Sequence, residues 1–153
     1  MAVFITHSEQ ETVALGQSIG KLLGPGAIVL IHGDLGAGKT VLSRGISQGL
    51  GADEAVTSPT FTLMHRYQGR LEVFHFDLYR LQDPDEILDL GYDELFYGDG
   101  VSIVEWPERL DYLYPDECVR IEIEIIDYKN TRKISVEARG LKYRELEKGL
   151  DTL

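Results

Sequence analysis

The amino-acid sequence predicts one α/β domain over residues 1–153, with a mixed, largely parallel central sheet, helices on both faces and added antiparallel hairpins. Three observations predict this fold class. The length of the chain and its 43% of hydrophobic residues are those of one globular domain. Short apolar runs alternate with segments of helical periodicity. Two of the runs, AIVLI and VSIV, lack polar alternation, which predicts central strands buried on both faces.

The N-terminal third predicts a strand, a helix, a buried strand and a second helix. AVFIT is the opening strand, and Ser8 and Glu11 form a capping box in front of an amphipathic helix over residues 9–23. A Gly-Pro-Gly run ends this helix, and AIVLI follows as the buried strand. The second helix comes after a glycine-rich stretch and ends before Gly51. Its apolar face carries Val41, Leu42, Ile46 and Leu50.

The rest of the chain predicts two hairpins, a buried strand and short helices. TFTLMHRYQ and LEVFHFDLYRL flank Gly69-Arg70 as the first hairpin. A short helix begins at Pro84 with Asp83 as its N-cap, and residues 90–100 have no clear pattern. VSIVEW is the buried strand, and CVRIEIEII pairs with RKISVEA across DYKNT. A final short helix is predicted from Tyr143, Leu146 and Leu150.

The glycine-rich stretch GDLGAGKT has the spacing of a phosphate-binding loop, and it lies between a buried strand and a helix as such a loop requires. A helix N-terminus offers unpaired backbone N–H groups and a partial positive charge to phosphates. Lys39 would reach the β- and γ-phosphates, and the Thr40 hydroxyl would bind Mg²⁺. The predicted nucleotide contacts in this stretch are Gly33, Asp34, Leu35, Gly36, Ala37, Gly38, Lys39, Thr40 and Val41.

Two acidic residues follow apolar strands and are candidates for the chemistry. Asp77 ends EVFHF and Glu105 ends VSIV. Either carboxylate could hold Mg²⁺ or orient the attacking water, and the sequence leaves both assignments open. TSPTFT, residues 57–62, is either a switch-like segment near the γ-phosphate or an ordinary Ser-Pro turn. Trp106 is either a core residue or an exposed anchor for a partner.

The bulk composition excludes several classes of protein. A net charge of -11 argues against sequence-independent binding to DNA or RNA. No apolar run approaches the roughly 20 residues of a membrane helix, and no secretory signal is recognisable. A single cysteine excludes a disulfide within the chain and a cysteine-rich zinc site, so cytoplasmic residence is expected. The four histidines, His7, His32, His65 and His75, lack metal-ligand spacing and are interpreted as structural.

Charge is distributed unevenly along the chain. From Leu81 to Pro107 there are eight acidic residues and no Lys or Arg. This segment is either a solvated face or a docking surface for a basic partner. The acidic residues are Asp83, Asp85, Glu86, Asp89, Asp93, Glu94, Asp99 and Glu105.

The phosphate loop by itself does not define the reaction. The chain contains neither the N-K-x-D pattern of guanine recognition nor the D-x-x-G pattern of GTPase switches, which favours ATP. A small-molecule kinase and a non-catalytic module that senses ATP or ADP are the alternatives. The absence of basic residues from 81 to 107 disfavours a nucleotide kinase, which needs arginines around its acceptor phosphate.

Four motifs in order, GDLGAGKT, SPTFTL, HFDLYRL and VEWPERL, resemble the TsaE family of bacterial proteins. The likeness runs from ETVALG to Glu108. It implies an ATPase that uses Mg²⁺, releases ADP, and is weak until stimulated by its partners. The partners implied are a TsaB-like subunit and a TsaD-like transferase, which together form N6-threonylcarbamoyladenosine in tRNA. ATP hydrolysis would reset the transferase between turnovers, and tRNA would be met only through the complex, with neither membrane nor DNA involved.

The resemblance also implies roles for individual residues. Lys39 would bind phosphates, Thr40 and Glu105 would hold Mg²⁺, and Asp77 would be a polar group needed near the γ-phosphate. Trp106 would be a functional aromatic residue beside the site.

Three further residues are implied at the edges of the site. Thr60 would belong to the switch-like segment. Glu9 and Arg132 would lie near the base of the bound nucleotide, because the family places that base by the first helix and the C-terminal hairpin.

Overall fold

The structure, a computed structural model, describes residues 1–52, 63–127 and 129–153. Within these ranges seven strands form one sheet in the order β1-β7-β6-β2-β5-β4-β3. The strands are β1 (Ala2–Thr6), β2 (Ile28–Gly33), β3 (Met64–Gln68), β4 (Glu72–Asp77), β5 (Val101–Glu105), β6 (Cys118–Ile125) and β7 (Arg132–Arg139). The helices are α1 (Glu9–Leu22), α2 (Lys39–Gly49), α3 (Asp85–Leu88), α4 (Tyr92–Phe96) and α5 (Arg144–Leu150), with 3₁₀ helices at Pro107–Leu113 and Leu141–Tyr143.

The sheet is mixed, with a parallel centre. β4, β5, β2 and β6 are parallel neighbours, and this places their carboxyl ends along one edge of the sheet. The hairpins add β3 to one side and β7 to the other in antiparallel orientation, and β1 pairs antiparallel with β7. Five of the seven strands therefore point the same way, which confirms the predicted fold class and both hairpins.

Two apolar clusters pack against the two faces of the sheet, as predicted. β2 shows the division most simply. Val29 and Ile31 face the cluster formed with α1, α2 and α5, whereas Ile28 and Leu30 face the cluster formed with α3, α4 and the first 3₁₀ helix. All four side chains are buried, so the absence of polar alternation in AIVLI reflects burial on both faces.

The helices follow the predicted signals with two corrections, one to a helix boundary and one to an apolar face. The Glu11 N–H donates to Ser8 Oγ at 3.1 Å as a cap of α1, and Gly51 follows α2 with a φ of +85°. The N-cap of α3 is Pro84 and not Asp83; the Asp83 carboxylate instead accepts the Asp85 N–H at 3.0 Å.

The second correction concerns the apolar face of α2. Leu42, Ile46 and Leu50 are buried in the core as predicted, but Val41 is half-buried and lines a cavity.

The sequence pattern left two regions open, residues 90–100 and the segment TSPTFT. Residues 90–100 contain the short helix α4, which buries Phe96 against Phe76 with ring centroids 5.3 Å apart. The segment TSPTFT, including Thr60, lies outside the described residues. Among the helices that the structure describes, none has the length and apolar character needed to cross a membrane.

Candidate active site

The glycine-rich stretch forms the loop that joins β2 to α2, at the carboxyl edge of the sheet. Gly36 and Gly38 have φ angles of +81° and +108°, a region that residues with a side chain rarely adopt. The Ala37 N–H donates to the Asp34 carbonyl at 3.0 Å and tightens the loop before α2 begins. The loop borders a cavity of about 630 Å³, a volume suited to a small-molecule ligand.

Lys39, the first residue of α2, points back under the loop. Its Nζ donates to the carbonyls of Gly33 at 2.6 Å and Asp34 at 2.8 Å, and it lies 4.0 Å from the centre of the Trp106 ring. The side chain is only 5% exposed. Burial lowers the pKa of Lys39, and the nearby Glu105 carboxylate opposes this shift. A buried cation beside the cavity is available to an anionic ligand.

Glu105, the last residue of β5, is the most extensively bonded carboxylate of the site and is 2% exposed. Thr40 Oγ1 donates to its Oε1 at 2.9 Å, and Ser43 Oγ lies 3.2 Å from its Oε2. His75 Nε2 also bonds to Oε2. The structure thus brings together Thr40 and Glu105, the two residues expected to share a metal ion.

Oxygen atoms dominate this part of the site, which fits Mg²⁺ better than a softer metal. Mg²⁺ is usually held by one or two carboxylates together with phosphate oxygens and water. The Thr40 hydroxyl and the Glu105 carboxylate supply such oxygens beside the loop. Over the residues that the structure describes, no group of three or more His, Cys, Asp or Glu side chains could form an all-protein metal cage.

Asp77 ends β4 at the point where Glu105 ends the neighbouring parallel strand, and the two residues are paired in register. The Tyr79 N–H donates to Asp77 Oδ1 at 3.2 Å. Burial raises the pKa of Asp77, and this hydrogen bond partly offsets the increase. Two carboxylates with different surroundings therefore line the same cavity, one enclosed by donors and the other half-buried with a raised pKa.

Trp106 is neither a core residue nor an isolated surface anchor. Its backbone is left-handed, with φ 60° and ψ 48°, which turns the chain sharply after β5. The half-buried ring lies against Tyr79, with centroids 5.0 Å apart, and against the Lys39 ammonium group. It lines the cavity.

The residues implied for the base also reach this cavity. Glu9 is the first residue of α1, and Arg132 is the first residue of β7. Arg132 Nε donates to the Ala37 carbonyl at 2.8 Å, so the C-terminal hairpin is tied to the phosphate loop. Both residues line the cavity, as do Leu35, Gly36, Ala37, Gly38, Lys39, Thr40 and Val41. Gly33 and Asp34 accept the hydrogen bonds of Lys39.

Sequence reasoning missed three residues around Glu105 and Trp106. Tyr79 supports the tryptophan ring, while Ser43 and His75 contact the Glu105 carboxylate. A signal for His75 was present in the sequence. It precedes Asp77 by two residues, and residues at that spacing share one face of a strand. Ser43 lies four residues after Lys39 and so shares its side of α2.

Comparisons with known proteins identify the family of the chain. The profile of the family described as "Threonylcarbamoyl adenosine biosynthesis protein TsaE" matches residues 6–134. The chain belongs to the TsaE family. The match extends beyond Glu108 through β6 to the first three residues of β7, so it includes Arg132.

Individual TsaE proteins cover most of the chain. The tRNA threonylcarbamoyladenosine biosynthesis protein TsaE of Treponema pallidum (strain Nichols) is 41% identical over 132 residues, covering 86% of this chain and 97% of its own. The protein of the same name from Bacillus subtilis (strain 168) is 39% identical over 142 residues, covering 92% and 88%. The crystal structure of Bacillus subtilis YdiB superposes with a TM-score of 0.80 at 32% identity, covering 98% of this chain and 93% of that chain.

Proposed function

We propose that this TsaE-family chain is a Mg²⁺-dependent ATPase that supports the formation of N6-threonylcarbamoyladenosine in tRNA. One observation carries the proposal. Lys39, Thr40, Asp77 and Glu105 come from three separate elements and line one cavity beside a phosphate-binding loop. Family membership supplies the biological setting, because the similar proteins are named for threonylcarbamoyladenosine biosynthesis.

Phosphate binding is assigned to the loop and Lys39. The N-terminus of α2 presents backbone N–H groups and the positive end of the helix dipole to the cavity. Lys39 adds a full positive charge, and its Nζ can exchange a loop carbonyl for a phosphate oxygen with a small movement of the side chain. The loop and Lys39 are expected to bind both ATP and its product ADP.

The metal and water roles are divided between the two carboxylates. Thr40 and Glu105 would hold Mg²⁺, which when bound would neutralise charge on the phosphates. Asp77 is the candidate to orient the attacking water, since it is half-buried at the next strand end and is not enclosed by donors as Glu105 is. Glu9 and Arg132 would contact the base side of the nucleotide.

The proposed partners are a TsaB-like subunit and a TsaD-like transferase, and tRNA is reached through them in the cytoplasm. An acidic chain with a net charge of -11 is poorly suited to hold tRNA by itself. A division of labour follows, in which this chain hydrolyses ATP and the transferase carries the modification chemistry. Hydrolysis would reset the transferase between turnovers.

The decisive experiment measures ATP turnover by the purified chain, first alone and then with the TsaB-like subunit, the TsaD-like transferase and tRNA. We expect a low rate alone that rises when the partners are added. A high rate without partners, or transfer of phosphate to a small acceptor, would contradict the proposal in favour of a kinase. Bound nucleotide without hydrolysis in any mixture would instead indicate a sensor module.

A further inference from the structure

His75 is a polar residue at an apolar position of β4. Its neighbour two residues earlier on the same face, Val73, packs in the cluster beneath α2, and the alternate residues Phe74 and Phe76 pack on the other face. The imidazole is 0% exposed. A buried polar ring costs stability unless its nitrogens are hydrogen-bonded. An apolar side chain at position 75 would serve the core at least as well.

The imidazole ring makes one hydrogen bond within the described structure, and its partner is Glu105. Nε2 bonds to Glu105 Oε2, and Nδ1 has no partner among the residues that the structure describes. Because a carboxylate only accepts hydrogen bonds, Nε2 is the nitrogen that carries the donated proton. The one contact that offsets burial of the imidazole in the described structure is therefore its contact with Glu105.

Ser43 also approaches Glu105 Oε2, but its hydroxyl has one proton and two acceptors. Ser43 Oγ lies 2.9 Å from the Lys39 carbonyl and 3.2 Å from Oε2. The shorter contact is the usual bond of a helical serine to the carbonyl four residues earlier. His75 is thus the donor committed to Oε2, whereas Ser43 divides its proton between two acceptors.

We propose that His75 is a positioning residue that sets the rotation of the Glu105 carboxylate for magnesium binding. With Oε2 held by His75, Oε1 is turned toward the Thr40 hydroxyl, and the two oxygens lie 2.9 Å apart beside the loop. Hydrogen bonds of this kind around a ligating carboxylate fix its orientation, and their loss weakens metal binding by about 10- to 100-fold. This inference rests on the proposed function, because it assigns His75 to the same Mg²⁺ site.

The test uses the full chain and compares ADP affinity measured calorimetrically with Mg²⁺ and with EDTA. The ratio of the two dissociation constants is the magnesium coupling. His75→Gln keeps an N–H donor near the place of Nε2. His75→Asn carries the same amide group, but its side chain is too short to reach Glu105. Val73→Ala is the matched control, since it loosens the same buried face of β4 without touching Glu105.

We expect His75→Asn to lose about tenfold in magnesium coupling with little change of ADP affinity in EDTA. His75→Gln and Val73→Ala should keep the coupling close to that of the wild type, even where their thermal stability falls. Equal coupling in His75→Asn and His75→Gln would overturn the inference and leave the proposed ATPase intact. A wild-type chain that binds ADP equally with and without Mg²⁺ would overturn the inference, whereas the ATPase itself is tested by the turnover measurement.

Discussion

At the scale of single residues, the site holds ionisable groups where burial opposes their charge. Burial lowers the pKa of Lys39 and raises the pKa of Asp77, so both shifts favour the neutral form. Such groups cost stability and are common at functional sites, where charge is needed for binding or chemistry. Three predictions at this scale separate that cost in stability from the function.

The Asp77→Asn substitution should raise the free energy of unfolding at neutral pH. The pKa of Asp77 is raised in the folded state, so folding favours the protonated carboxyl, and stability is lost as pH rises through the folded pKa. Asparagine resembles the neutral form, so its advantage should shrink as the pH falls through the folded pKa and be absent below the ordinary value of 3.8. Urea unfolding at neutral and acidic pH measures this difference, and a less stable variant at neutral pH would contradict it.

The same Asp77→Asn variant should lose about 100-fold or more of the ATP turnover measured with partners, because a group that orients or activates water is removed. Nucleotide binding should survive, since Asp77 is not assigned to the phosphates.

Lys39→Ala should weaken ATP and ADP binding by at least about tenfold, because one charge-assisted hydrogen bond to a phosphate contributes about 1.5–3 kcal/mol. Calorimetric titration of both nucleotides measures the loss. Lys21→Ala, an exposed lysine near the end of α1, is the matched control and should bind as the wild type does. Comparable losses in the two variants would point to a general charge effect and would remove Lys39 from the phosphate site.

At the scale of elements, the close packing of α1 on α2 positions two sides of the cavity. α1 carries Glu9 and α2 carries Lys39 and Thr40, so the distance between these helices sets the width of the site. The two helices approach each other closely at glycine residues. A Cβ atom added at Gly45 would lie 2.4 Å from the Val13 carbonyl oxygen, which belongs to the backbone of α1.

Gly45→Ala is therefore expected to destabilise the protein. Alanine gains about 1 kcal/mol over glycine in a helix interior, but overpacking against a backbone atom costs about 1–3 kcal/mol and forces the helices apart. We expect a net loss of up to about 2 kcal/mol in the free energy of unfolding by urea denaturation. Gly24→Ala is the control, because a Cβ there would meet no atom within 4 Å. A Gly45→Ala protein as stable as the wild type would show that α1 can shift without cost.

At the scale of the whole molecule, seven of the eight acidic residues between Leu81 and Pro107 are exposed, and the eighth, Glu105, is buried in the site. α3 packs on the face opposite to α5, and Asp85, Glu86 and Asp89 at α3 are exposed. A surface of this charge is expected to steer a basic partner and to speed its association. The proposed transferase complex is the candidate for that partner.

Reversal of Asp85, Glu86 and Asp89 to Lys should slow association with the TsaD-like transferase by roughly tenfold at low salt. The matched control reverses Glu145, Glu147 and Asp151, which are exposed in or beside α5, and so changes the net charge equally on the opposite face. Surface plasmon resonance at two salt concentrations measures both rates. If the two triple variants associate equally, the acidic face is a solvated surface and not a docking site.

Local patterns in the sequence determined the strands, the main helices, both hairpins and the phosphate loop. Apolar runs, helical spacing, Ser8 and the glycines act on residues close to them in the chain, so their consequences can be predicted from that stretch alone. The same patterns placed Asp77 and Glu105 at strand ends. They left open which carboxylate lies nearest to Thr40, because that depends on the order of strands in the sheet.

The tertiary structure decided everything that depends on contacts between distant residues. Thr40 and Glu105 are 65 positions apart and meet because β5 lies next to β2, and His75 reaches the same carboxylate from β4. Trp106 reaches the site because its backbone adopts left-handed dihedral angles after β5. Strand order, burial and backbone turns of this kind arise from packing of the whole chain, for which a linear pattern contains no direct signal.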